Sequence, residues 1–133
     1  MNKINITNQL LVSLKNAYSN KNKYAYCKVN KLCLEILWTL YKEGLIADFK
    51  IDTLENKVKI KLKYIKTKPL LSNLQLISKP KLKCFATFNK LHFFNQKFDY
   101  FFLSTSSGIV SSKILLKNFK LGGQLLFGLK INS

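Results

Sequence analysis

Apolar residues recur at helical spacing in two segments of the N-terminal half of the chain. The first stripe is made by Ile6, Leu10, Leu11, Leu14 and Tyr18. Because residues three and four positions apart share one face of a helix, this spacing predicts an amphipathic helix, with Asn5 or Thr7 as its N-terminal cap. The second stripe occupies residues 31–43, and Gly44 follows it where a left-handed C-terminal cap is expected.

Strict alternation of apolar and polar residues marks the strands of this half. Over residues 57–65, lysines alternate with apolar residues, which predicts a strand with one buried face and one positive face. Short strands are also predicted at 24–29 and at 49–51, with a turn over 52–56. The lysine row leaves three interpretations open: a solvated face, a guard against edge-to-edge pairing, or a surface for a polyanion.

The C-terminal half has a different pattern, in which short strands dominate. Strands are predicted at residues 74–77, 82–88, 98–103 and 124–131. A single short helix is predicted at 111–119, and Gly122 and Gly123 suit its C-terminal end. This half is therefore expected to be mostly β.

The two halves are expected to be separate domains. Lysines flank Pro69 over residues 66–69, which suits a solvated linker because proline cannot donate to a sheet ladder. Since 47% of the residues are hydrophobic, the chain can form a packed core. We predict an α+β protein with an α-β-α-β-β domain at 1–66 and a small, mostly β domain with one short helix at 67–133.

The net charge of the chain limits the kinds of partner that it can be expected to bind. The chain of 133 residues has 23 basic residues, all of them lysine, against 6 acidic ones, and its formal net charge is +17. Self-repulsion at such a charge opposes folding, so the usual reason for it is a polyanionic partner, with nucleic acid ahead of a membrane surface. Lysine acts as a point charge, whereas arginine reads guanine bidentately. Contact is therefore expected mainly with phosphates, while base recognition falls to small polar side chains and main chain.

The residues that carry most enzyme chemistry are scarce. His92 is the single histidine and stands between apolar neighbours, and the 6 carboxylates are scattered. Cys27, Cys33 and Cys84 fit neither a disulfide framework nor a zinc site, so they are predicted to be free thiols in a reducing compartment. The sequence contains no phosphate-binding glycine loop. We predict no catalytic residue, metal, cofactor or small-molecule substrate, and hence no enzyme.

A membrane association is not predicted either. The apolar run at residues 100–103 is far too short to span a bilayer, and the lysine row lies on a strand pattern rather than on an amphipathic helix. The start of the chain shows neither a signal-peptide pattern nor an arginine-rich presequence. The protein is therefore expected to be made where it works, or to have lost a presequence.

Hydroxyl side chains are concentrated in one short segment between an apolar strand and a helical pattern. The segment comprises Ser104, Thr105, Ser106, Ser107 and Gly108. Short hydroxyls exchange hydrogen bonds with base edges and ribose 2′-OH groups, and glycine lets a backbone approach a ligand closely. Taken alone, the segment is better explained as an ordinary turn, with Ser111 or Ser112 capping the following helix.

The order of these motifs resembles the family of small-subunit ribosomal protein number eight. Residues 104–108 have the form Ser-Thr-Ser-x-Gly, and residues 121–124 have the sequence Leu-Gly-Gly-Gln after a helical pattern. Upstream, residues 31–50 resemble the family's second helix and its exit, and residues 77–80 resemble its Ser-Arg-Pro turn. The likeness extends in order over nearly the whole chain, and the combination of motifs is specific.

Membership in this family implies a ribosomal, RNA-binding protein. The family binds a helix in the central domain of small-subunit rRNA, next to neighbouring ribosomal proteins, and supports assembly of the platform. The resemblance implies that residues 104–108 and Gln124 contact irregular RNA in that helix, which makes the domain at 67–133 the RNA-binding domain. With lysines added as phosphate contacts, the predicted RNA-binding set is Ser104, Thr105, Ser106, Ser107, Gly108, Gly122, Gly123, Gln124, Lys79, Lys81, Lys31 and Lys113. The alternative function is a free-standing regulatory RNA-binding protein that represses an mRNA.

The chain departs from the family pattern in a few places. Gln124 stands where the family has Glu, which removes a charge and adds donors. Lys79 and Lys81 stand where the family turn has Arg and Gly, so a bidentate phosphate contact is lost. The lysine-only composition, rich in Asn and Phe, suggests an AT-rich organelle genome. We expect the mitochondrial matrix, in the ribosome, with a plastid or the bacterial cytoplasm as alternatives.

Overall fold

The computed structural model describes residues 3–76, 96–105, 108–112 and 123–131. These residues form α1 (Lys3–Ser19), β1 (Tyr24–Lys28), α2 (Lys31–Lys42), β2 (Asp48–Asp52), β3 (Lys57–Lys61), β4 (Tyr64–Ile65), β5 (Lys68–Pro69), β6 (Leu71–Leu76), β7 (Tyr100–Thr105), β8 (Gly108–Ser111) and β9 (Gly123–Ile131). The α+β class is confirmed, as is the α-β-α-β-β order of the N-terminal half followed by a part rich in strands.

The ends of α2 follow from local chemistry. The Asn30 side chain accepts a hydrogen bond from the Leu32 backbone N–H at 2.9 Å, which satisfies one of the free donors at the start of the helix. At the other end Gly44 adopts φ +73°, and the Leu45 N–H donates to the Leu40 carbonyl at 2.9 Å. This arrangement confirms the predicted left-handed cap. The predicted cap of α1 is wrong, because α1 begins at Lys3 and Asn5 lies inside it.

The first sheet has three antiparallel strands in the order β1-β3-β2. Its middle strand shows the predicted alternation: Val58 and Ile60 are fully buried, and the three lysines of β3 are exposed. Because side chains alternate between the two faces of a strand, one face of this sheet is core and the other is positive.

Residues 66–69 form a tight hairpin rather than the predicted linker. The predicted strand at 57–65 divides after Lys61, and β4 turns back on β5 through Lys66 and Thr67. Both turn residues have positive φ, +51° and +69°, which is the backbone twist that two-residue hairpins favour. Pro69 is tolerated here because β5 is a two-residue strand in a two-stranded ribbon.

The second sheet has four antiparallel strands in the order β6-β9-β7-β8. Three of them confirm predicted strands with bounds shifted by up to three residues, whereas β8 was not predicted. Ser111, assigned by the sequence to a helix, ends β8 instead. The predicted strand at 82–88 and the rest of the predicted helix after Ser112 lie outside the described residues.

A hydrophobic cluster connects the two helices with both sheets. It includes Leu14 of α1, Leu37 of α2, Ile60 of β3 and Phe127 of β9, all fully buried. Helices in α+β folds bury their apolar stripe against a sheet, which is how the helical spacing of the sequence becomes a core. The division into domains at residues 66 and 67 stays a prediction.

Replacing Gly128 with alanine should destabilise the fold. A Cβ atom at this position would lie 2.5 Å from Cγ of Phe98, whose ring is only 5% exposed. Since the ring must move out of a packed site, we expect Gly128→Ala to lower the free energy of unfolding by about 1–3 kcal/mol. Urea unfolding measures this loss. In a Phe98→Ala background the same glycine change should cost much less, and an unchanged cost would show that the ring is not the obstacle.

Candidate RNA interface

One end of the four-stranded sheet brings together residues from three strands. Thr105 of β7 pairs with Gly108 of β8 and with Gly123 of β9. One position further along β7, Ser104 pairs with Gln124 of β9. Residues far apart in the chain therefore lie side by side, because antiparallel pairing returns β9 along β7. These five residues, all named by the sequence as RNA contacts, are called the strand-end cluster below.

The hydroxyl segment is a strand end with a two-residue connection. Ser104 and Thr105 belong to β7, and Gly108 opens β8, so the prediction of a loop over all five residues is wrong. Pairing with a strand on each side of β7 overrides the weak strand preference of serine. Gly108 has φ +103°, a conformation that side chains rarely adopt, so glycine is required where the chain re-enters the sheet.

The polar groups of the strand-end cluster differ in exposure. Ser104 is buried at 8% exposure, so its hydroxyl lies largely within the protein. Gln124 is partly buried, and its Nε2 atom is buried without a hydrogen-bond partner. A buried amide donor without a hydrogen bond lowers the stability of a protein by about 1–3 kcal/mol. Such a group is usually kept only where it has another role. The unpartnered amide nitrogen leaves the Gln124 side chain with unused hydrogen-bonding capacity.

The C-terminal end of α2 supports β8. Thr39 Oγ1 donates to the Glu35 carbonyl at 2.9 Å and lies 3.4 Å from the carbonyl oxygen of Ile109. The Ser111 hydroxyl donates to Glu43 Oε1 at 2.8 Å, a charge-assisted bond between β8 and the end of α2. These contacts hold the β7–β8 hairpin against the helix. The one signal for these contacts in the sequence is a threonine, Thr39, beside the apolar stripe of α2.

The two serines expected to cap a helix have other partners. Ser111 binds Glu43, and the Ser112 hydroxyl accepts a hydrogen bond from the Phe101 backbone N–H at 3.3 Å. Both serines are buried, and they are tolerated there because their hydroxyls are hydrogen-bonded. They fasten the last residues of the β7–β8 pair to their surroundings.

Of the predicted lysine contacts, the structure describes Lys31 alone. It is exposed and begins α2, whereas Thr39 near the other end of that helix touches β8. Eight residues of helix rise about 12 Å, so Lys31 does not join the strand-end cluster. The remaining predicted contacts, Lys79, Lys81, Lys113, Ser106, Ser107 and Gly122, lie outside the described residues.

Potential metal ligands are dispersed over the described part of the chain. Within it, no group of three or more potential metal ligands comes together. Cys27 and Cys33 are both free thiols, as predicted. The hydrogen bond with Cys33, together with burial, raises the pKa of Cys27, so this thiol stays protonated at neutral pH and is a poor nucleophile.

A helix that crosses a bilayer needs about 20 mostly apolar residues. Neither α1 nor α2, the helices among the described residues, is both long and apolar enough to cross a membrane.

Comparison with known proteins places the chain in a family. Residues 5–129 of the chain match the family described as "Ribosomal protein S8". The chain is 34% identical to "Small ribosomal subunit protein uS8m" of Acanthamoeba castellanii over 97% of its own length and 100% of that protein. It is 35% identical to "Small ribosomal subunit protein uS8" of Legionella pneumophila strain Lens over 79% of its length and 84% of that protein.

These matches define a structural, non-enzymatic protein of the small ribosomal subunit. The chain belongs to the ribosomal protein S8 family. A third relative, the uS8 protein of Mesomycoplasma hyopneumoniae strain 7448, is 30% identical over 88% of the chain and 89% of its own length. The resemblance seen in the sequence is thereby confirmed, as is the prediction that the protein is not an enzyme. Membership in the subunit implies rRNA and ribosomal proteins as partners.

Proposed function

We propose that this protein is a primary rRNA-binding protein that recognises a helix in the central domain of small-subunit rRNA and supports assembly of the platform. The observation that carries the proposal is the strand-end cluster. Residues of the Ser-Thr-Ser-x-Gly and Gly-Gly motifs, separated in the chain, meet as Thr105, Gly108 and Gly123 in one row of the sheet. Contact with a single RNA feature requires such direct neighbours.

The proposed mechanism divides anchoring from recognition. Exposed lysines neutralise phosphates and give most of the affinity without reading sequence. The strand ends then offer main-chain groups and the partly exposed Gln124 side chain to irregular RNA, where base edges and 2′-OH groups are accessible. The partly buried hydrogen bond between Ser111 and Glu43 fixes the hairpin beforehand, so little ordering is needed on binding.

We infer that the protein works in a mitochondrial ribosome, next to neighbouring small-subunit proteins. Support comes from the relative named uS8m, which the chain matches over 97% of its length, and from the lysine-only composition. Bacterial uS8 proteins have about the same sequence identity to the chain, 30–35%. A plastid or bacterial ribosome is therefore the alternative. Quantitative co-sedimentation with small subunits from isolated mitochondria tests the inference, and a free pool bound to mRNA would instead indicate a regulator.

A competition titration tests the proposed function directly. Purified protein is titrated against the central-domain helix of its own small-subunit rRNA, with a scrambled duplex of equal length as competitor. We expect a preference for the native helix of about a thousandfold, as is typical of specific over non-specific binding. Equal binding to both RNAs would overturn the proposal and leave a generic polycation.

A variant of Gln124 connects the titration to the strand-end cluster. Gln124→Leu should weaken binding to the native helix about tenfold, because a lost hydrogen bond to RNA is worth about 1–1.5 kcal/mol. The urea midpoint should stay the same or rise, since the replaced amide donor has no partner in the protein. Gln9→Leu, an equal change at an exposed position of α1, is the matched control. Parallel behaviour of the two variants would remove Gln124 from the site.

A further inference from the structure

The outer face of the β1-β3-β2 sheet has a regular arrangement of lysines and tyrosines. Lys59 of the middle strand lies between Tyr26 of β1 and Lys50 of β2 in one row. Lys57, between Lys28 and Asp52, and Lys61, between Tyr24 and Asp48, form the adjacent rows. Paired residues project from the same face of a sheet, so these side chains form one surface. The lysine face is defined here as Tyr24, Tyr26, Lys28, Lys50, Lys57, Lys59 and Lys61.

Protection of a sheet edge does not explain the lysine face. Lysines that prevent edge-to-edge pairing belong on edge strands, where backbone groups are unpaired. Lys57, Lys59 and Lys61 lie on β3, the middle strand, whose two edges are both paired. Edge protection, one of the three interpretations left open by the sequence, therefore fails for these residues.

The lysine face also brings like charges together. Lys59 is directly opposite Lys50, and Lys57 is directly opposite Lys28. Like charges at opposed positions destabilise a sheet. The neighbouring acids, Asp48 and Asp52, accept hydrogen bonds from backbone N–H groups of their own segments. An external anion would relieve the repulsion among the lysines.

Two tyrosines give the lysine face a second kind of chemistry. The Lys59 ammonium lies 4.1 Å from the centre of the Tyr24 ring, so the ring orients the charge. Tyr26 is 53% exposed and stands beside Lys59 in the same row. An exposed ring next to ammonium groups offers stacking to a base and charge to its phosphate. An acidic protein segment would use the lysines but would have no need of the ring.

We propose that the lysine face binds single-stranded RNA, with a base stacked on Tyr26 and phosphates held by Lys50, Lys57 and Lys59. Lysines two residues apart on β3 are separated by about 6.8 Å, which an extended RNA backbone spans with one nucleotide. The opposite face of the same sheet carries Val58 and Ile60 into the core with the helices, so this surface is separate from the strand-end cluster. The proposal rests on the RNA-binding character of the proposed function, but it names a second RNA element.

Binding of a fluorescently labelled oligouridylate to the full-length protein tests the proposal. Tyr26→Leu should weaken binding at least about fivefold, since stacking on an aromatic ring is worth 1 kcal/mol or more per base. Tyr26→Phe keeps the ring and should retain binding. Trp38→Leu is the matched control, because Trp38 is 50% exposed, lies on α2 and also has a lysine, Lys42, over its ring at 5.2 Å. Equal losses for Tyr26→Leu and Trp38→Leu would overturn the proposal.

The charge contribution is tested by paired substitutions. Lys50→Gln with Lys59→Gln should weaken oligouridylate binding more than Lys66→Gln with Lys68→Gln, which removes equal charge from the exposed β4–β5 hairpin. Urea midpoints confirm that each variant is folded. Equal losses for the two pairs would contradict a defined site. Competition by polyglutamate as effective as that by unlabelled oligouridylate would also overturn the proposal, since the face would then bind any polyanion.

The proposal for the lysine face and the proposed function can fail independently of each other. If the native rRNA helix is preferred about a thousandfold while Tyr26→Leu leaves oligouridylate binding unchanged, the lysine face is overturned and the proposed function stands. If the helix preference is absent while Tyr26→Leu weakens oligouridylate binding and Trp38→Leu does not, the proposed function fails and the lysine face is supported.

Discussion

Raising the salt concentration from about 50 mM to about 200 mM should weaken binding to the native rRNA helix about a thousandfold. The protein carries 23 lysines, no arginine and a net charge of +17. Each lysine that neutralises a phosphate releases condensed counterions, and added salt opposes that release. Six or more such contacts are needed for a loss of this size. The measurement is the slope of the logarithm of the binding constant against the logarithm of salt concentration.

Single lysine variants show how the salt slope is made up. Lys31→Gln should reduce its magnitude by about 0.7–0.9 if Lys31 binds one phosphate. Lys31 is the first residue of α2, where a positive charge opposes the helix dipole, so its removal should not harm the fold. Lys66→Gln in the exposed hairpin turn is the control that should leave the slope unchanged. A wild-type slope near zero would contradict electrostatic anchoring altogether.

The N-terminal elements were predictable because their signals are local. The stripe of α2 and the alternation around Val58 depend on residues a few positions apart. The left-handed cap at Gly44 depends on one residue type. The cap at Asn30 is another local feature, and it could have been predicted from the sequence. Such features follow from the period of a helix or a strand, so they need no knowledge of tertiary contacts.

Two parts of the fold were not predictable in this way. The positive φ angles of Lys66 and Thr67 were hidden, because neither residue is one that tight turns favour. The strand β8 has no alternating pattern, and it exists because β7 pairs with it on one side and with β9 on the other. Pairing between distant segments determines both strands, and single-sequence patterns do not report it.

The candidate site was also predictable from the sequence only in part. The sequence named the residues of the strand-end cluster through two motifs, but it did not show that Thr105 and Gly123 are direct neighbours. It also missed the support from Thr39 and Glu43, because a helix residue becomes a hairpin anchor through packing alone. Family motifs therefore identified which residues to examine, while their register and their anchors come from the fold.

Replacing Gly108 with alanine should weaken binding to the native rRNA helix about tenfold. Gly108 has φ +103°, and a Cβ atom there would meet no other atom within 4 Å. The cost is therefore backbone strain, of order 1–3 kcal/mol, and not a clash. The chain can relieve the strain by rotating φ, which changes the path of the connection between Thr105 and Gly108. Because this connection carries Ser106 and Ser107, relief of the strain should move the proposed RNA contacts.

Asn56→Ala separates loss of the interface from loss of stability. Asn56 also has a positive φ, +54°, and lies in the exposed turn between β2 and β3. Alanine there should cost about 1–2 kcal/mol of stability through the same kind of strain. It should leave affinity for the native helix unchanged, because this turn is not part of the strand-end cluster. If Gly108→Ala loses stability but binds the helix as the wild type does, the glycine serves the fold alone and the hairpin is not the recognition element.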